Sequence, residues 1–287
     1  MKTCPYCGKE YPDDVERCLT DNEILLGGEL ETIPASEEIV EVKSVTIPAP
    51  EPKIVWTDRN IRIFEVILIC TIAFSGSILA STYSFLGNSF GNSSSNSNWG
   101  AWDWTARTLR EGSALGLLWY ILMRHGKSFR DLGLTWTRKD IVWAVILGVV
   151  GSLAFRAVYD AIYFTGVTTV SHKALTAYVG NVLFGGGIFF TTIFFQFLNP
   201  FFEELIVRAY VMTEVKQLTN STTKAIIIST LLQTSYHFYQ GGPAAFGHMA
   251  TFLMFSIFYA KTNRIAPIIL AHLYFDVSGT LSYMFRY

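Results

Sequence analysis

From residue 61 onward the chain is a succession of apolar stretches separated by short polar ones: 61–85, 106–124, 140–165, 177–215, 223–239, 243–261 and 265–285. Each approaches the ~20 residues that a helix needs to cross the hydrocarbon core of a bilayer. The pattern predicts an all-α membrane protein, a polytopic bundle of about seven transmembrane helices, or eight if 177–215 is split in two. Asn199-Pro200 predicts a break or kink in that longest stretch, because proline lacks the N–H and crowds the preceding turn. Gly185-Gly186-Gly187 falls in mid-span, where small residues predict close helix packing rather than phosphate binding.

The first 60 residues are of another kind. Cys4-Pro5-Tyr6-Cys7-Gly8 is a metal knuckle, in which the turn aims two thiolates at one ion and glycine relieves the tight backbone. Cys18 and Asp21 repeat the spacing with a carboxylate in place of a fourth thiolate, and Asn22 follows where a left-handed conformation is tolerated. Cys4, Cys7, Cys18 and Asp21 are thus the expected ligands of one structural Zn2+, without which so small a unit could hardly fold. A metal-free tail with redox-active cysteines is the other reading of the same residues. Residues 29–56 contain Pro34, Pro48, Pro50 and Pro52, and residues 29–53 hold six glutamates against two lysines; such a stretch cannot bury a core and reads as a flexible linker. The expected organisation is a zinc-ribbon-like domain over 1–28, a Pro/Glu-rich linker over 29–56 and a transmembrane domain over 57–287. The start Met1-Lys2-Thr3-Cys4 lacks the basic and apolar pattern of an export signal, so no cleaved signal peptide is expected.

Composition agrees with lipid as the solvent: 51% of residues are hydrophobic and 16% charged, where soluble chains carry about a quarter charged. The net charge of -1 gives no reason to expect nucleic acid. The distribution of cations says more. Lys53, Arg59, Arg62, Arg124, Lys127, Arg130, Arg138, Lys139, Lys216, Lys224, Lys261 and Arg264 fall at one set of span ends, and Arg107, Arg110, Lys173 and Arg286 at the other. Twelve against four predicts a multi-pass protein of the cell membrane with a cytoplasmic N-terminus and an odd number of crossings.

Several ionisable groups lie inside the apolar stretches, where they are costly and mark function by default. Glu203, Glu204 and Arg208 sit in Phe201-Phe202-Glu203-Glu204-Leu205-Ile206-Val207-Arg208. Glu204 and Arg208 are i and i+4, so they can pair on one helix face. Glu203, rotated by ~100° from its neighbour, is left for other work. His237 ends the fifth stretch, and His272 and Asp276 share a face of the seventh at i, i+4. Counted from span ends near 214, 224 and 265, Glu203, His237 and His272 lie 11, 13 and 7 residues inward. At ~1.5 Å per residue that is ~10 to 20 Å, so all three can meet in one layer. Gln233, four residues before His237, reads as a packing residue.

Glu203-Glu204-x3-Arg208, the histidine of the fifth stretch and His272-x3-Asp276, in that order and spacing, resemble the CAAX protease and bacteriocin-processing (CPBP or Abi) family of intramembrane proteases. Gly133-Leu134 within Asp131-Leu132-Gly133-Leu134-Thr135-Trp136 is similar to the family's usual approach to a membrane helix. The likeness runs over roughly 61–285 and is most specific at 200–276. It implies an endopeptidase in which Glu203 is the general base for a water, assisted by His237. It further implies that His272 and residue 276 donate to the oxyanion, while Glu204 and Arg208 hold the architecture. Gln233 stands where the family usually has Phe, and Asp276 where it commonly has Asn; an ionised Asp accepts hydrogen bonds and does not donate.

With no His-Glu-x2-His helix in the chain, the catalysis expected is by glutamate without a catalytic metal. The expected partners are a membrane-embedded or membrane-associated polypeptide substrate, the bilayer itself and a protein partner of the ribbon. Two other functions fit the same residues. One is a non-catalytic immunity or scaffolding protein of the family. The other is a proton-coupled transporter, which the lack of an internal two-fold repeat disfavours.

Overall fold

The computed structural model of the protein describes residues 2–3, 10–12, 14–15, 58–86, 99–166, 177, 179–181 and 183–285. Cys4, Cys7, Cys18, Asp21 and the linker 29–56 lie outside the described residues. The chain divides into two units, Met1–Ile54 and Val55–Tyr287. In the first, β1 (Lys2–Thr3) pairs antiparallel with β2 (Glu10–Tyr11), with Lys2 opposite Tyr11 and Thr3 opposite Glu10.

The second unit is helical throughout. Its elements are α1 (Asp58–Leu86), α2 (Ala101–Arg124), α3 (Arg138–Phe164), α4 (Phe190–Glu203), a π-helix (Glu204–Val211), α5 (Met212–Thr219), α6 (Thr222–Ser235), a 3-10 turn (Phe238–Gln240), α7 (Gly242–Thr262) and α8 (Ala266–Met284). α1, α3 and α7 are each long and apolar enough to cross a membrane. Their outward faces carry large bare side chains such as Leu79, Ile141, Val145 and Leu153, each more than 60% exposed. An apolar surface that extensive is stable against acyl chains and not against water. The chain is an all-α membrane protein.

Helix ends are set locally. Asp140 Oδ2 accepts the Thr137 N–H at 2.5 Å and opens α3, and Ser221 Oγ accepts the Lys224 N–H to open α6. Asn220 and Asn263 close α5 and α7 in left-handed conformations. In the loop between α2 and α3, the Ser128 hydroxyl and N–H both donate to Asp131, which holds its carboxyl below the usual range. Gly133 in that loop has φ +82°, and a Cβ there would strike the Asn263 carbonyl. Only glycine lets the loop lie against the α7–α8 turn, where Ile265 N–H donates to the Gly133 carbonyl.

The long stretch 177–215 departs from expectation. Residues 177, 179–181 and 183–184 are helical, but the chain leaves the helix at Gly185–Phe189 and re-enters it at Phe190. Gly187 has φ +111°, and a Cβ on Gly186 would collide with the Trp99 carbonyl. The glycines therefore break the helix, whereas Pro200 is accommodated inside α4. Four residues beyond that proline the hydrogen bonding shifts to the π pattern, and helix continues from Phe190 to Thr219 as α4, the π-helix and α5. All eight residues of the π-helix are buried. It forms the axis of a core with Ile69 and Phe74 of α1, Leu118 and Leu122 of α2, Phe255 of α7 and Ile268 and Ile269 of α8.

Candidate active site

Glu203 closes α4 and Glu204 opens the π-helix. Neighbouring side chains on a helix diverge by ~100°, yet both carboxylates come within reach of one side chain. Gln233 Nε2 lies 2.7 Å from Glu203 Oε2 and 3.4 Å from Glu204 Oε1, one amide donating towards both. Glu204 is wholly buried, with Arg208 Nε 3.4 Å from its Oε2. The Arg208 guanidinium, also 0% exposed, rests 5.1 Å from the centre of the Phe252 ring.

α6 ends at Ser235, so His237 is not a helical residue but the first beyond a tight turn, its N–H on the Thr234 carbonyl. Phe74 stacks on Tyr236 at 4.9 Å with the planes 1° apart, which fixes the turn against α1. His237 Nδ1 is 2.8 Å from the Gln233 carbonyl. A carbonyl only accepts, so Nδ1 carries the hydrogen and the neutral ring keeps a lone pair at Nε2. The side chain of Gln233 thus holds Glu203 while its backbone orients His237. This residue, read from sequence as packing, couples the two.

On α8, His272 Nδ1 lies 2.8 Å from Glu204 Oε1, and its Nε2 lies 3.6 Å from Asp276 Oδ1. Asn199, one turn before Glu203, donates from Nδ2 to Asp276 Oδ2 at 3.0 Å. Asp276 is held as an acceptor, and the neutral amide beside it belongs to Asn199.

Glu203, His237, His272 and Asp276 all line one cavity of about 1200 Å³; Glu204 and Arg208 stand behind its wall. The structure so brings four of the six site residues to one surface and places the other two as their support. Residues that the sequence did not single out for chemistry share the cavity: Asn199, Tyr236, Arg110 and Glu111. Arg110 Nη1 donates to Ser77 Oγ at 2.9 Å, its Nη2 is 3.6 Å from Glu111 Oε1, and Glu111 is 1% exposed. The rule that an ion inside an apolar stretch marks function would have found Glu111. Arg110 was counted as a loop charge instead.

One group among the described residues has the donors for a metal ion: Glu203, Glu204 and His272 each offer a ligand atom, all within 4.8 Å of one another. The donor types suit zinc. The space between the two carboxylates, however, is crossed by the Gln233 amide N–H, a donor where a cation would sit.

Residues 185–278 match the family model described as Type II CAAX prenyl endopeptidase Rce1-like. Searches of curated proteins and of solved structures find no match to the chain. The matched stretch holds the paired glutamates, the His237 turn and the His272 helix, and over it the chain is similar to the CAAX-type protease family.

Proposed function

We propose that the protein is an intramembrane endopeptidase in which Glu203, as general base, activates a water against a peptide carbonyl. Glu203 takes one proton of the water while its oxygen bonds to the carbonyl carbon, and His237 Nε2 accepts a hydrogen bond from the same water. His272 and Asn199 donate to the oxygen on which charge develops, where fixed donors gain most. Asp276, which as an ionised carboxylate can only accept, orients Asn199, and Glu204 orients His272 through Nδ1, which leaves the Nε2–H for the oxyanion. The proton held by Glu203 then passes to the amine nitrogen, and the C–N bond breaks. Glu204 and Arg208 keep the π-helix and His272 in place. The observation that carries this reading is the double engagement of Gln233, with the base through its side chain and with the histidine through its backbone, beside one cavity.

The reading takes catalysis to be by glutamate without a metal, supported by the N–H that bridges the two carboxylates. Zinc belongs instead to the N-terminal ribbon, on Cys4, Cys7, Cys18 and Asp21; the β1–β2 pairing, which brackets the first knuckle in sequence, supports that assignment. The membrane part makes seven crossings, with α4, the π-helix and α5 as one of them, and a cytoplasmic N-terminus, supported by the cation count of twelve against four. The substrate is a membrane-embedded or membrane-associated polypeptide, and the ribbon is a docking module for a protein partner.

The test of the reaction compares peptides from membranes that carry wild type or Glu203→Ala at equal levels, by mass spectrometry. Fragments present only with wild type are expected; identical peptide sets would leave a non-catalytic role. For the metals, the wild type should bind one zinc and Cys4→Ser/Cys7→Ser none, while the double variant still cleaves. Loss of cleavage together with zinc would refute the assignment.

A further inference from the structure

All of the described residues that line the cavity outside its reacting corner lie towards one end of the helical unit. Ser84 is near the C-terminus of α1, Trp102 and Asp103 are in the first turn of α2, and Ser282 is in the last turn of α8. Trp102 is 77% exposed, so the cavity runs to the surface there. From His272 to Ser282 is ten residues of one helix, a path of ~15 Å at 1.5 Å per residue.

The opposite end is closed by ion pairs between elements. Arg62 of α1 reaches Glu214 of α5, Arg124 and His125 meet Glu65, and Arg264 meets Asp140. Of the twelve cations counted on the N-terminal side, the eleven from Arg59 to Arg264 are among the described residues; all eleven belong to that end, and none of them lines the cavity. Two of the four on the other side, Arg107 and Arg110, do line it. Cationic span ends face the cytoplasm.

We propose that the cavity opens to the extracytoplasmic face of the membrane and takes its substrate there, as a polypeptide segment exposed on that side. Its volume of about 1200 Å³ exceeds the ~300–1,000 Å³ usual for small-molecule sites and leaves room for several residues of an extended chain. A cytoplasmic tail would meet the sealed, ion-paired end. The word substrate rests on the peptidase reading; the side of access does not.

Gly279 supplies the probe. It lines the cavity one turn beyond Asp276, and no atom lies within 4 Å of an added Cβ. Gly279→Cys and, at the other end, Lys261→Cys are made in the full chain with Cys70→Ser, and intact cells are treated with a membrane-impermeant maleimide. Gly279→Cys should react in intact cells, above the parent background, and Lys261→Cys only after permeabilisation. The reverse pattern, or a Gly279→Cys that reacts in neither condition, would overturn the proposal. Right-side-out and inside-out vesicles given a peptide library then separate access from chemistry. Cleavage in right-side-out vesicles alone is expected, and cleavage in inside-out vesicles alone overturns the proposal. No cleavage in either, with the labelling as expected, defeats the peptidase reading and with it the substrate, while the side of access stands.

Discussion

The helical unit holds two sets of buried or half-buried carboxylates and treats them differently. At the cation-rich end, Glu65 is met by His125 Nε2 at 2.7 Å and Arg124 at 3.5 Å, Glu214 by Arg62 and Lys127, and Asp140 by Arg264 at 2.7 Å. Each of those anions is closed by a cation from another element and serves as a clamp. In the cavity, Glu203 and Asp276 are held by neutral amides, from Gln233 and Asn199, with His272 beside Asp276. An amide fixes a carboxylate without neutralising it, which leaves lone pairs free for a proton. Glu204 stands between the sets, since Arg208 closes one of its oxygens and His272 engages the other. On the proposed mechanism, the difference teaches that the charge of its partner, rather than burial alone, separates a reacting carboxylate from a clamp.

The largest effect should come from the member that joins the sets. Arg208→Ala leaves Glu204 buried and without its cation, a loss of about 3–5 kcal/mol for a pair of this kind. Thermal unfolding in detergent should show a much lower midpoint, and an unchanged one would contradict the role assigned to the pair. Gln233→Leu removes the amide that aims Glu203 but leaves the backbone carbonyl on His237. Cleavage should fall about 10²-fold, the scale of a small misplacement of a reacting group, with the midpoint almost unmoved. A Leu variant as active as wild type would show that the bridge is only packing. Glu65→Gln tests a clamp. Its partners Arg124 and His125 are partly exposed, so the expected cost is about 1 kcal/mol of stability with cleavage unchanged. A loss of activity there without a loss of stability would blur the two sets.

Much of this was legible beforehand because lipid imposes long apolar runs. The stretches 61–85, 140–165 and 243–261 coincide closely with α1, α3 and α7, and the same contrast exposed Glu203, Glu204, Arg208, His272 and Asp276. What escaped depends on contacts that no period records. The break falls at Gly185–Gly187 rather than Asn199-Pro200, because Gly186 must admit the Trp99 carbonyl. The π pattern is a choice of backbone partner, invisible in side-chain spacing. α6 stops at Ser235 with neither glycine nor proline to mark it; the stack of Tyr236 on Phe74 accompanies the turn there. Gln233 looked like filler because one amide in an apolar helix has no partner until the fold supplies it.

The most direct measurement is peptide cleavage by the purified protein in liposomes, wild type against Glu203→Gln. The glutamine keeps the size and polarity of the side chain and removes only its capacity as a base. A fall of about 10³-fold is predicted, within the range for losing a general base, with an unchanged unfolding midpoint. Equal rates for the two proteins would contradict the assignment of Glu203 as the residue that activates water.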